Sequence, residues 1–170
     1  MKKTGRELSN FMKKFRTRIQ DQRGFNLLEL MIVIAIIGLL IGVGTLGWQA
    51  ANRAGNEAAA AQQVDGIRKF QAQYAGRNKG NFGTFDELIA KAGLDEGFAG
   101  TQPIKNGYVF TMTIVTASGS TPASYSVAAD PQVGDGVMAS GTRHFYTDTS
   151  LSTIKATDEN RPAKADDPSI

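Results

Sequence analysis

One side chain stands out for chemistry: Glu29, a carboxylate at the head of a run that carries no formal charge from Leu30 to Asn52. An ionisable group inside an apolar helix costs roughly 2.5–3.5 kcal/mol even on lenient insertion scales, so such a residue usually has a function and a partner. The other reactive groups are scattered. His144 is the single histidine and the chain holds no cysteine, which excludes a thiol nucleophile, a zinc–thiolate site and a disulfide framework. With Phe145 and Tyr146 beside it in a strand-like stretch, His144 reads as structural. Asp130, Asp135, Asp148 and Asp158 could gather around a calcium ion, but no run has the spacing of an EF-hand loop, and loop aspartates are usually solvated turn residues. Gly134-Asp135-Gly136 is too short for a phosphate loop and precedes no helix. The chain therefore reads as non-enzymatic, with no metal and no cofactor expected.

The elements that position Glu29 follow from composition and periodicity. The uncharged run reaches about 35 Å as a helix, enough to cross a hydrocarbon core of roughly 30 Å. Ile32, Val33, Ile34, Ile36, Ile37, Leu39, Leu40 and Ile41 leave no polar stripe, and a helix apolar on all sides is buried in lipid or among copies of itself. Gly38 and Gly42 stand four apart on one face, a small-residue pair that permits close helix packing. Trp48 ends the run, at the level where amphipathic rings meet a membrane interface.

Charge gives the orientation. The net +3 conceals an asymmetry: Lys2, Lys3, Arg6, Lys13, Lys14, Arg16, Arg18 and Arg23 against Glu7 and Asp21 make residues 1–24 +6, leaving −3 for the rest. The basic excess belongs to the leader, so no nucleic-acid partner is expected. Positive residues before a span hold that end in the cytoplasm. A secretory signal peptide has an apolar core of about 7–15 residues followed by a small-residue cleavage site. Here the core is longer and the glycine precedes it, which leaves a plain signal anchor as the bland alternative.

Arg23-Gly24-Phe25-Asn26-Leu27-Leu28-Glu29 resembles the processing signature of type IV prepilins and of their relatives, the pseudopilins of type II secretion. The resemblance implies that a prepilin peptidase cuts after Gly24 on the cytoplasmic side and methylates the new amino terminus at Phe25. It also implies that Glu29 acts in filament assembly. The residue types suit those roles. Gly24 has no Cβ, so a protease can approach its backbone closely. The amine freed at Phe25, with an ordinary pKa of about 7.7–8.0, is mostly protonated at neutral pH. Within one helix Phe25 and Glu29 form an i, i+4 pair; in the family the glutamate is assigned to the amino terminus of a neighbouring subunit, and both geometries stay open. The proline that many type IV pilins carry in this region is absent. The cysteine pair that many of them use at the carboxy-terminal loop is absent too.

Beyond Trp48 the helical period persists. Ala54, Ala58, Ala61, Val64, Ile67, Phe70 and Tyr74 mark an apolar face, and Gly76 to Gly80 stop the helix. Thr84-Phe85-Asp86-Glu87 has the form of a capping box, opening a short helix to about Ala92, followed by loop to Tyr108. Tyr108, Phe110, Met112 and Ile114 alternate as a half-buried strand, and Tyr125, Val127 and Ala129 repeat the pattern. His144–Thr147 and Leu151–Ala156 read as a hairpin across Asp148-Thr149-Ser150. Turn-length links favour an antiparallel sheet, one face of which would cover the Ala54–Tyr74 stripe.

The expected fold is α+β and pilin-like: a long amino-terminal helix packed on a small antiparallel sheet. The domains are a cleaved basic leader (1–24), a transmembrane and assembly helix (25–50), a periplasmic or extracellular headgroup (51–157) and a mobile polar tail (158–170). The resemblance implies a structural subunit of a type IV pilus, with a type II secretion pseudopilin as the alternative. A membrane-tethered binding module is the unrelated third reading. The implied partners are copies of itself in a helical filament, the prepilin peptidase, the inner-membrane assembly machinery and, before assembly, lipid. The implied location is the inner membrane with a cytoplasmic amino terminus, then an extracellular pilus or periplasmic pseudopilus.

Overall fold

The elements run in the order α1 (Leu27–Arg77), α2 (Phe85–Ala92), a 3-10 turn (Glu96–Phe98), β1 (Ile104–Lys105), β2 (Tyr108–Val115), β3 (Ser124–Pro131), β4 (His144–Asp148) and β5 (Lys155–Thr157). The computed structural model describes residues 24–170; the leader expected over residues 1–24 lies, apart from Gly24, outside them. The chain divides into two compact units, one ending at Gly44 and the other Thr45–Ile170.

In the second unit the helix is set by a strict alternation of steps. Ala60, Val64, Ile67, Gln71 and Tyr74 are its buried residues, spaced four and three apart as one helical face requires. The expected stripe was only partly right. Val64, Ile67 and Tyr74 lie in the core and Ala61 and Phe70 pack against it, but Ala54 and Ala58 are exposed. The physical reason is that the buried face continues toward the amino end as polar side chains: Arg53, Asn56 and Glu57 hydrogen-bond to the segment 136–142. Apolar periodicity is blind to such a face. Gln71, fully buried, behaves like a strand neighbour, donating to the Gly83 carbonyl at 2.6 Å and accepting from the Gly83 amide at 3.0 Å. A buried amide satisfied on both sides avoids the penalty of an orphaned polar group.

α2 starts as expected. The Thr84 hydroxyl accepts from the Glu87 amide, the Glu87 carboxylate accepts from the Thr84 amide at 2.9 Å, and Gly93 closes the helix with φ 82°. The loop expected between Ala92 and Tyr108 contains the 3-10 turn and the two-residue β1. Phe98 fixes that turn, set edge-on to Phe110 with ring centroids 5.1 Å apart.

The sheet is an antiparallel meander in the order β1-β2-β3-β4-β5. Phe110 pairs with Ala129, Ala129 with Phe145, and Phe145 with Ala156. This row alternates large and small side chains, all buried, and belongs to the same core cluster as the helical face. One core therefore joins α1 from Ala60 to Tyr74 with the inner face of the sheet, giving the expected α+β arrangement.

Two expectations at the end of the chain are corrected. β5 is confined to Lys155–Thr157 because residues 149–151 are tied down elsewhere. Thr149 exchanges bonds with Tyr125, and the Asp148 carboxylate accepts from the Ser150 amide and hydroxyl. The expected mobile tail is folded back. Arg161 grips Asp167 through both terminal nitrogens (2.5 and 2.9 Å), Ala163 is buried, and the Ala156 amide donates to the Pro168 carbonyl at 2.9 Å. An ion pair and main-chain bonds close this segment, which polar composition and two prolines do not announce.

Candidate functional site

The segment around Glu29 is built by a helix start. Gly24, Phe25 and Asn26 precede α1 without regular structure, and Phe25 is 86% exposed. Asn26 is the cap: its side-chain oxygen accepts from the Leu28 amide at 3.1 Å, and its carbonyl accepts from the Leu30 amide. Glu29 completes the motif, its carboxylate accepting from the Asn26 amide at 3.2 Å. The Glu29 half is that of a capping box, while the Asn26 side chain takes the second amide of the helix in place of the third, and the arrangement sets the carboxylate at the positive end of the helix dipole. The signal for this cap in the sequence is the Asn-x-x-Glu spacing of Asn26 and Glu29. The carboxylate is thus held against the nitrogen one residue from that of Phe25.

Among the described residues a Cβ at Gly24 would meet no atom within 4 Å, so their packing does not demand glycine there. The same space surrounds Gly38 and Gly42, one helical turn apart on α1. The large apolar side chains from Leu27 to Leu46 are exposed, as is Trp48 at 69%. Among the described residues α1 is the one helix long and apolar enough to cross a membrane.

The reactive groups of the headgroup are dispersed. His144 is buried with its Nδ1 2.6 Å from Asp130, a cross-strand pair at the start of β4 on the face opposite Phe145 and Ala129. Asp158 pairs with Arg143 and Asp148 caps its turn, while Asp135 lies exposed on the β3–β4 loop. Among the described residues no three His, Asp or Glu side chains converge to hold a metal ion. Tyr108 is fully buried, its hydroxyl donating to the Arg143 carbonyl at 2.8 Å, and burial pushes its phenol well above the ordinary range. Gly141 is required here, because the Tyr108 ring and hydroxyl occupy the place of its Cβ. A shallow cavity of about 330 Å³ on the outer sheet face is lined by hydroxyls, including Thr113, Ser126, Tyr146 and Ser150, with Asp148 at its edge.

Residues 19–45 match the family model described as the prokaryotic N-terminal methylation motif. No curated protein and no solved structure matches the chain.

Proposed function

We propose that this chain, a member of the type IV pilin and pseudopilin family by its methylation motif, is a structural subunit of a type IV pilus filament. The precursor sits in the inner membrane on α1, with the basic leader on the cytoplasmic side as the positive-inside rule favours. A prepilin peptidase cuts between Gly24 and Phe25 and methylates Phe25. The subunit then polymerises through the apolar part of α1, where the Gly38 and Gly42 spacing lets a neighbouring helix come close. Glu29 receives the Phe25 ammonium of an adjacent subunit, which sets the axial register.

The observation that carries this reading is the single carboxylate held at the head of a helix whose next charged residue is Arg53. A tether needs neither that acid nor a cleavable junction. The test is mass spectrometry of filaments sheared from cells. The mature subunit should begin at methylated Phe25, and Gly24→Leu should remain uncut. A native amino terminus elsewhere, or normal cutting of Gly24→Leu, would sink the assignment. Surface filaments made of this subunit support the pilus role; a short periplasmic assembly together with a secretion defect on deletion would make it a pseudopilin instead.

A further inference from the structure

The β3–β4 loop, residues 132–143, is anchored by the helix through an unusual concentration of polar bonds. Arg53 donates to the carbonyls of Gly136 (2.6 Å), Val137 and Ala139 (both 3.2 Å). Asn56 donates to the Ser140 carbonyl at 2.9 Å, and Glu57 accepts from the amide and hydroxyl of Thr142. Anchorage of this kind ordinarily keeps an apolar loop pressed into a core. Here the tip it presents is apolar and open: Val137 is 66% and Met138 81% exposed.

The level of that tip on the helix is informative. Gly136 and Val137 share a cleft of about 360 Å³ with Leu46, Gln49, Ala50 and Arg53. Leu46 is seven residues before Arg53, about 10 Å along the helix axis. The tip therefore stands beside the last turns of the charge-free run and at the height of Trp48, the residue type that marks a bilayer interface. A loop held there faces the same medium as Leu46 and Trp48. Large exposed apolar side chains beside a lipid-facing helix match the way interfacial segments bury one face at the headgroup–acyl boundary.

We propose that Val137 and Met138 form a second lipid contact, seated in the periplasmic leaflet before polymerisation, with Arg53 fixing the depth of the loop. Two attachment points restrain rotation about the helix axis, so the Thr45–Ile170 unit meets the growing filament in one orientation. The inference rests on the membrane reading of α1 given above, and the test separates the two.

The chain lacks cysteine, so single labels are unambiguous. Met138→Cys, Ile37→Cys and Ser120→Cys, each carrying an environment-sensitive NBD dye, are placed as full-length mature chain, one copy per nanodisc of phosphatidylethanolamine and phosphatidylglycerol. Ser120 lies in the β2–β3 turn, at the opposite end of those strands from the loop. Shallow nitroxide lipids should quench the Met138 label roughly two-fold or more, as expected for an interfacial depth, and leave the Ser120 label unchanged. Arg53→Gln should relieve the quenching at 138 and not at 37. A Met138 label that behaves like the Ser120 label while Ile37 is quenched overturns the loop contact alone. Protection of 138 only in assembled filaments assigns the tip to a second copy and overturns it equally. The Ile37 label, about 16 Å below Trp48, is read with lipids carrying the nitroxide deep in the acyl chain, and its failure to be quenched by them overturns the membrane reading and this inference with it.

Discussion

Replacing Glu29 separates the capping role seen in the structure from the assembly role proposed above for the same carboxylate. Its Oε2 accepts the Asn26 amide at 3.2 Å, a capping bond that a neutral amide can also accept, since Gln serves at this position of a capping box. Glu29→Gln therefore keeps the helix start and removes the charge, whereas Glu29→Ala removes both. The capping bond contributes about 0.5–1.5 kcal/mol. The proposed pairing with a neighbour's ammonium is larger: two charges about 4 Å apart at an effective dielectric constant near 20 attract by about 4 kcal/mol before desolvation. Removing one partner of a buried pair costs about 3–5 kcal/mol, because the other charge is left unmatched. At about 1.4 kcal/mol per factor of ten, that is on the order of a hundred- to a few thousand-fold in the equilibrium for adding a subunit. The assay is quantitative immunoblotting of sheared filament against mature subunit in the inner membrane. Both variants should insert and be cut, and both should lose filaments to a similar extent while mature monomer accumulates. Wild-type assembly by Glu29→Gln together with failure of Glu29→Ala would show that the cap matters and the charge does not, and the assembly mechanism proposed here would be wrong.

Residues 52–170, expressed without the apolar run, should fold as a monomer, because the buried face of α1 is covered by its own sheet; an aggregated fragment in size-exclusion chromatography contradicts this. In that fragment Thr147→Val should raise stability by about 1 kcal/mol, since the Thr147 hydroxyl is buried with no hydrogen-bond partner among the described residues, and should lift the thermal midpoint by roughly 3–6 °C. A lower midpoint would mean that the hydroxyl has a partner. The bidentate Arg161 guanidinium, helped by the Lys164 amide, lowers the Asp167 carboxyl from its ordinary 3.8 to about 2. Because the folded value is the depressed one, the stabilisation is fully present above 3.8 and is lost as pH falls through about 2. Hydrogen exchange at the Ala156 amide, bonded to Pro168, should accelerate over that window in the wild type, and Arg161→Gln should remove the acid step.

What was legible in the sequence is what local patterns encode. The Thr84–Glu87 box, the alternation of Tyr108 to Ile114 and the charge-free helix each follow from near neighbours, and together they give the α+β arrangement. The lower stripe of α1 was not legible, because Arg53, Asn56 and Glu57 face partners more than eighty residues away and look in the sequence like an ordinary solvated face. β1 is too short, at two residues, for a period to register. The need for glycine at 141 depends on a phenol thirty-three positions earlier. At the candidate site the Asn26–Glu29 cap is entirely local, and its spacing is legible in the sequence, but charge alone does not distinguish a capping carboxylate from an unpaired one.

The Asn26 cap has a consequence for what cleavage would change. α1 begins at Leu27 with its first turn already satisfied by Asn26 and Glu29, two residues past the Gly24–Phe25 bond. Removing the leader would leave every one of those bonds in place. Proteolysis would then be an electrostatic event rather than a conformational one. On the proposed reading, a single bond broken would discard a segment of net charge +6 that favours a cytoplasmic amino end, and would substitute one ammonium beside the Glu29 carboxylate. The helix would stay as it was, and the barrier to drawing it out of a bilayer would fall, because hauling several cations through hydrocarbon is what lipid resists most.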